Sequence, residues 1–223
     1  MIKSIFYKEW IKTRWFFLLS FLSMLGFTGY SLIRINRALE LKGVAHIWEV
    51  MLTRDAIFID ILRYIPLIIG LLMAIVQFVP EIQRKCLKLT LHLPFSQLKL
   101  TMCMISAGVL LLLIVFGISF ITMKIYLAFH FPIELQNQLL LTSLPWYFAG
   151  VLAYSFCSWI IFEPTWKRRV LYLIISLFTL KIFFISNTPQ AYNSMLWIMI
   201  LYIISTVSLS WISIVRFKSG KQD

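Results

Sequence analysis

The side chains with the greatest potential for chemistry are scarce in this sequence. The 223 residues include three histidines and three cysteines: His46, His92, His130, Cys86, Cys103 and Cys157. No two histidines have the spacing of a zinc motif such as H-E-x-x-H, and none lies within a predicted membrane span, where a haem would need its axial ligands. No cysteine falls in a predicted outer loop, so a disulfide framework is not supported. We therefore predict no catalytic residues, no metal site and no cofactor bound by this chain.

Motifs of common enzymes are also absent from the sequence. There is no G-x-S-x-G nucleophile elbow and no G-x-x-x-x-G-K-[ST] phosphate-binding loop. The chain is therefore not expected to be an enzyme. If it moves a substrate with ATP, both ATP and Mg must bind to a separate chain.

One connection, residues 80–100, is too basic for a membrane span and too apolar for a solvated loop. Leucines alternate with polar residues from Leu87 to Leu93, a period of two that favours a strand. A single strand would leave its backbone unpaired. A helix would instead bring Glu81 and Lys85 together as a favourable i,i+4 pair.

Proline and serine positions supply boundaries for the helical alternative. Pro80 suits a first helical turn, Pro94 ends the segment, and Ser96 can cap the helix that follows. Two interpretations of the segment remain. It is either an interfacial segment facing lipid, or a docking element whose exposed leucines insert into another protein.

The composition of the chain indicates the class of protein to which this loop belongs. Hydrophobic residues make up 61% of the chain, charged residues only 13%, and mean hydropathy is +0.87. A soluble domain has about 45–50% apolar and about 25% charged residues. The sequence therefore predicts an all-α, polytopic membrane protein, a single domain of 1–223 with six spans. These are Trp15 to Ile33, Tyr64 to Val79, Thr101 to Met123, Leu144 to Phe162, Val170 to Ile185, and Ser194 to Val215.

The net charge of +12 indicates an orientation in the membrane. With the N-terminus inside, the inner segments hold 14 of the 21 Lys and Arg residues. The positive-inside rule then places both termini in the cytoplasm. Because the basic residues form several short clusters rather than one face, a nucleic-acid partner is not expected.

The N-terminal segment and one charged residue within a span belong to the predicted layout as well. Residues 1–14 read as an interfacial helix on the inner leaflet, with its apolar positions at Ile2, Phe6 and Trp10 and its basic residues near lipid headgroups. A simple basic stop before the first span fits equally well. Lys181 is the intramembrane charge, close enough to the outer end of the fifth span to snorkel.

The external segment 34–63 carries an apolar stripe at helical spacing. Its members are Val44, Ile47, Trp48, Met51 and Leu52. The spacing predicts a short helix that lies on the outer surface or covers the bundle.

The loop after the second span resembles the signature loop of ABC type-2 permeases, the membrane subunits of ABC exporters. That family shows a glutamate, a short helix and then Leu-Pro-hydrophobic-Ser. The matching positions here are Glu81, Arg84, Lys85, Leu93, Pro94, Phe95 and Ser96. The family often has Gly-Thr before the leucine, where this chain has Lys85, Cys86 and Leu87. The amphipathic N-terminus and the six-span layout resemble the family as well.

The resemblance implies a function and a set of partners. Residues 81–96, within the predicted cytoplasmic coupling loop 80–100, would form the coupling helix that docks on ABC ATP-binding subunits, with Leu87 among the docking residues. The chain would be the permease of an ATP-driven exporter in the inner membrane of a bacterium. It would act as a dimer with a second copy or a related permease, in contact with membrane lipids. The alternatives are a non-transporting scaffold or immunity-type membrane protein, and a membrane-embedded lipid-modifying enzyme.

Overall fold

The computed structural model describes residues 2–53, 59–84, 96–186 and 188–218, with the side chains of residues 2, 39, 42–53, 97 and 218 outside the description. Throughout these ranges the chain is helical or in short turns, without a strand. Six α-helices follow in order: α1 (Ile2–Thr53), α2 (Ile65–Gln83), α3 (Gln97–His130), α4 (Ile133–Phe162), α5 (Trp166–Ile182) and α6 (Leu196–Lys218). Short 3-10 turns at Asp60–Arg63 and Asn193–Met195 precede α2 and α6. The predicted all-α class is confirmed.

Five of these helices, all except α5, are long and apolar enough to cross a membrane. The remaining helix, α5, has 17 residues and is about 25 Å long at 1.5 Å per residue, slightly less than a hydrocarbon core of about 30 Å. The described chain therefore has the helices of a multi-pass membrane protein. The predicted count of six spans is matched by five helices and by one shorter helix at the predicted place.

The first helix differs most from the sequence-based expectation. It continues for 52 residues through Thr53, so residues 2–14 are not a separate interfacial helix and much of the external segment 34–63 is its continuation. The stretch contains no proline, and nothing in it forces the backbone out of helical geometry. Basic residues such as Arg14 and Arg34 indicate the edges of the membrane. The helix continues past both of them, so the edges of the membrane are not the ends of the helix.

The bundle is built around α4, the helix whose span is most buried. Its closest neighbour is α2, and the two backbones approach at Gly70 and Gly150. A methyl group on Gly70 would overlap the carbonyl oxygen of Gly150, and one on Gly150 would lie 2.6 Å from the carbonyl oxygen of Pro66. Only glycine permits this approach, in the manner of small residues between membrane helices.

Contacts along the helices give their relative directions. Gly70 lies beside Gly150 and Phe78 beside Phe162, so α2 and α4 run parallel. Ser158 bonds to Ser210 and Glu163 bonds to Ser213, so α6 runs parallel to α4 as well. The C-termini of these three helices therefore meet at one end, together with the starts of α1, α3 and α5. We call this the basic end, since it holds Lys3, Lys8, Lys12, Arg84, Lys99, Lys167, Arg168, Arg169 and Arg216.

The buried face of α1 includes several polar side chains, and its exposed face is largely apolar. Glu9, Thr13, Ser20 and Thr28 are at most 2% exposed, and they alternate with buried apolar residues such as Met24. Large apolar side chains cover the other side, among them Trp15, Leu18, Leu19 and Leu22. An apolar outer face of this kind suits a helix that meets lipid tails.

Candidate functional site

The most unusual feature of the bundle is a buried group of charges at the basic end, which we call the Glu9–Glu81 cluster. It consists of Lys8, Glu9 and Lys12 from α1 and Gln77 and Glu81 from α2. Lys12 Nζ lies 2.7 Å from Glu9 Oε2 and 2.9 Å from Glu81 Oε1. Lys8 Nζ lies 2.9 Å from the same Glu81 oxygen. The cluster therefore ties the first turns of α1 to the last turn of α2.

Helical spacing places each member of the cluster. Glu9 lies on the buried stripe of α1 between Ile5 and Thr13, four residues from each. Gln77 and Glu81 are one turn apart and both are buried on α2. The two faces meet because α1 and α2 cross antiparallel at this end.

Gln77 connects the charges to the centre of the bundle. Its Nε2 donates to Glu9 Oε2 at 3.0 Å and to the backbone oxygen of Met104 at 2.8 Å. The hydroxyl of Tyr154 donates to Gln77 Oε1 at 2.7 Å. Gly108 leaves the space for this pair, because a methyl group there would overlap both side chains. Four helices, α1 to α4, therefore share one hydrogen-bond network.

The hydrogen bonds of the cluster are incomplete. Glu9 and Glu81 are almost fully buried, yet Glu9 Oε1 and Glu81 Oε2 have no hydrogen-bond partner in the described part of the chain. Lys8 lies 3.8 Å from Glu9 Oε1, too far for a hydrogen bond. Two carboxylates and two ammonium groups balance in charge, but a half-satisfied network in a low-dielectric interior is costly.

A second buried carboxylate lies at the same end, in what we call the Glu163 cluster: Glu163, Thr165, Ser213 and Arg216. Glu163 directly follows α4 and is fully buried. The Ser213 hydroxyl donates to its Oε2 at 2.6 Å, and the Thr165 hydroxyl donates to its Oε1 at 3.1 Å. Arg216 Nη1 is 3.8 Å from Oε1. Both carboxylate oxygens are satisfied, and the cluster joins α4 to α6.

The predicted docking residues are only partly within the described chain. Glu81 belongs to the last turn of α2, with Pro80 inside that helix, so a coupling helix does not begin at Glu81. Arg84 is the exposed C-cap of α2. Ser96 occupies the N-cap of α3, but its side chain makes no capping hydrogen bond. Lys85, Leu87, Leu93, Pro94 and Phe95 lie outside the described residues.

The remaining predicted residues are accounted for as follows. Trp10 is 43% exposed and packs against Phe17, and Phe6 is half-buried. The side chain of Ile2 is outside the described set. Lys181 is exposed in the last turn of α5. The basic residues of 2–14 differ from expectation, because Lys8 and Lys12 reach into the bundle rather than only toward headgroups.

Sequence reasoning missed the carboxylates Glu9 and Glu163 as site residues, and with them Gln77 and Tyr154. One signal was available, since the chain has only 9 acidic residues and each one near a span is costly to bury. Each of the two carboxylates also has a partner close in sequence, Lys12 for Glu9 and Thr165 for Glu163. The partners that bury them, Gln77 and Ser213, come from helices remote in sequence and could not be identified.

Neither cluster has the composition of a metal site. Within the described ranges, no three His, Cys, Asp or Glu side chains lie close enough to hold a metal ion. The Glu9–Glu81 cluster holds α1 against α2 through Lys8 and Lys12.

The chain matches no protein-family model, no curated protein and no solved structure.

Proposed function

We propose that this chain is the membrane-spanning permease subunit of an ATP-driven ABC exporter, with its basic end in the cytoplasm. The ATP-binding subunits would dock on the loop that follows Glu81, and a second permease would complete the substrate path. The proposal derives from the likeness of residues 81–96 to the loop of ABC type-2 permeases. It is supported most by the position of the Glu9–Glu81 cluster at the point where that loop leaves α2.

The cluster gives the loop a mechanical connection to the bundle. Glu81 stands three residues before Arg84, the last described residue before the loop, and is held by Lys8 and Lys12 of α1. Gln77, one turn earlier, bonds to α1, α3 and, through Tyr154, α4. A displacement of the loop after α2 would therefore be transmitted to α1, α2, α3 and α4 together.

Two buried carboxylate oxygens of the cluster, Glu9 Oε1 and Glu81 Oε2, have no hydrogen-bond partner among the described residues. We infer that Lys8 and Lys12 can pair with these oxygens in a second arrangement. An element with two arrangements of similar free energy is what a ligand or partner can shift. ATP-driven closure of the docked subunits would select one arrangement and change how α1 packs on α2.

The first experiment is purification of the full chain from its native membranes, with identification of the proteins that accompany it. The proposal predicts a partner chain that carries a phosphate-binding loop and hydrolyses ATP. Phe95→Ala should reduce its recovery, and Phe129→Ala is the matched control, because Phe129 is exposed at the opposite end of the bundle. A chain that purifies alone would contradict the proposal and favour a non-transporting membrane scaffold.

A further inference from the structure

The basic end contains an apolar groove with basic side chains beside it, and this groove has no role in the proposed permease function. It has a volume of about 440 Å³ and lies between the ends of α2 and α4 and the first turns of α5. Val79, Ile82, Ile161 and Leu173 are among its apolar walls, and Trp166 and Arg169 are also part of its lining. Its volume falls within the range of small-ligand sites.

The charges beside the groove are positive and are not neutralised locally. Lys167 and Arg168 are exposed on the first turn of α5. Arg169 Nε donates to the backbone oxygen of Glu163 at 2.6 Å, and its terminal nitrogens make no hydrogen bond within the described chain. The Glu163 carboxylate is buried and bonded to Ser213 and Thr165, so it does not face the groove. From residue 164 onward the only acidic residue in the sequence is Asp223.

We propose that this groove binds one anionic phospholipid, with an acyl chain against its apolar walls and the phosphate at Lys167, Arg168 and Arg169. The neighbouring side chains indicate a membrane edge. Trp166 is 74% exposed, and tryptophans are enriched at the lipid–water interface. The apolar side chains of Val170 and Leu173, on the next two turns, are also exposed. Basic pockets between membrane helices suit anionic headgroups.

An acyl chain gains no hydrophobic free energy by leaving other lipid tails for a groove, so headgroup charge and shape must supply the preference. Each basic residue near an anionic headgroup adds about fivefold in affinity. Losing two should weaken binding about 30-fold. The inference does not depend on the permease function.

The test is native mass spectrometry of the purified full chain, titrated separately with phosphatidylglycerol and with phosphatidylcholine of the same acyl chains. We expect one phosphatidylglycerol to be retained in preference to phosphatidylcholine. The double variant Lys167→Gln/Arg168→Gln should weaken its binding about 30-fold. The control Arg34→Gln/Lys124→Gln removes the same two charges from exposed positions near the other end and should leave binding unchanged.

A second variant tests the groove rather than the charge. Leu173→Trp fills the groove and should reduce retention of phosphatidylglycerol to the level of phosphatidylcholine. Leu177→Trp, on an exposed residue one turn further along α5, is its control. Equal retention of the two lipids by the unmodified chain would overturn the proposal, as would binding that survives both test variants. Displacement by inorganic phosphate at similar concentrations would assign the charges to a free anion instead.

Discussion

The two carboxylate clusters of the basic end differ in how completely their charges are satisfied. Glu163 is held on both oxygens by hydroxyl groups, from Thr165 and Ser213. Glu9 and Glu81 each keep one buried oxygen without a hydrogen bond, although two lysines lie beside them. A fully satisfied buried network rigidifies one packing, whereas an unpaired buried polar atom costs free energy. We infer that the two open carboxylate oxygens let Lys8 and Lys12 pair in a second way. The comparison assigns a locking role to α4–α6 and a movable contact to α1–α2.

Exposure of the basic partners extends the contrast. The side chains of Lys8 and Lys12 are 38% and 19% exposed, so water can reach them and stabilise new pairings. Ser213 and Thr165 are nearly fully buried, and they cannot exchange Glu163 for water without opening the bundle. Buried glutamates at the basic end therefore have different roles. Glu163 fixes α4 on α6, whereas Glu9 and Glu81 form a movable contact between α1 and α2.

A large effect is expected where α2 and α4, the helices that carry the two clusters, touch. Gly70→Ala places a methyl group against the backbone of Gly150, and overpacking of this kind costs about 1–3 kcal/mol or more because backbone cannot yield easily. Gly117→Ala is the control, since nothing lies within 4 Å of its added methyl group. Thermal unfolding in detergent should show a large loss for the first variant and none for the second.

Lys12 is expected to matter more than Lys8 to the Glu9–Glu81 cluster. Lys12→Met leaves Glu9 without a hydrogen-bonded cation, because Lys8 Nζ is 3.8 Å from Glu9 Oε1. Removing one partner of a buried ion pair costs about 3–5 kcal/mol. Lys8→Met leaves Lys12 in contact with both carboxylates, so its cost should be about 1 kcal/mol. Denaturant midpoints measure the difference. Equal losses would show that the two lysines are interchangeable and that Lys12 is not the central cation.

The locking role of the Glu163 cluster is tested through a single hydroxyl. Ser213→Ala leaves Glu163 Oε2 without its 2.6 Å hydrogen bond, at a cost of about 1–3 kcal/mol. Ser208→Ala removes an exposed serine hydroxyl that bonds only to its own helix and should be nearly neutral. If both variants unfold at the same temperature, Glu163 is not held as described.

The smallest effect is expected at Tyr154, which links the Glu9–Glu81 cluster to α4. Tyr154→Phe leaves the buried amide oxygen Gln77 Oε1 without its hydrogen bond from the tyrosine. The cost should be about 1 kcal/mol, because this oxygen is neutral and the unpaired carboxylate oxygen of Ser213→Ala is charged. A double-mutant cycle with Lys12→Met should show coupling between the two residues. Strict additivity of the two losses would argue that the network is not shared.

The sequence predicted much of the fold and little of the site. Long apolar stretches identified the helices, and the end of α4 at Phe162 was predicted to the residue. The length of α1 was not predicted, because charge marks a membrane boundary and not a helix boundary. Glu9 was assigned to a surface helix because its partner Gln77 is 68 residues away in sequence. Two small residues of α4, Ala149 and Ala153, are buried within this chain, and the close backbone contact with α2 is at the neighbouring Gly150.

The measurement that tests the proposed role of the Glu9–Glu81 cluster most directly is ATP hydrolysis by the co-purified complex, with each of the two buried glutamates neutralised in turn. Coupling free energies between sites correspond to factors of about 5–150, so Glu81→Gln should lower the ATPase rate about tenfold while the complex stays assembled. Glu163→Gln should lower thermal stability and leave the rate per assembled complex unchanged, and Glu134→Gln, an exposed glutamate at the opposite end, should change neither. Equal ATPase rates for the Glu81 and Glu163 variants would contradict the account.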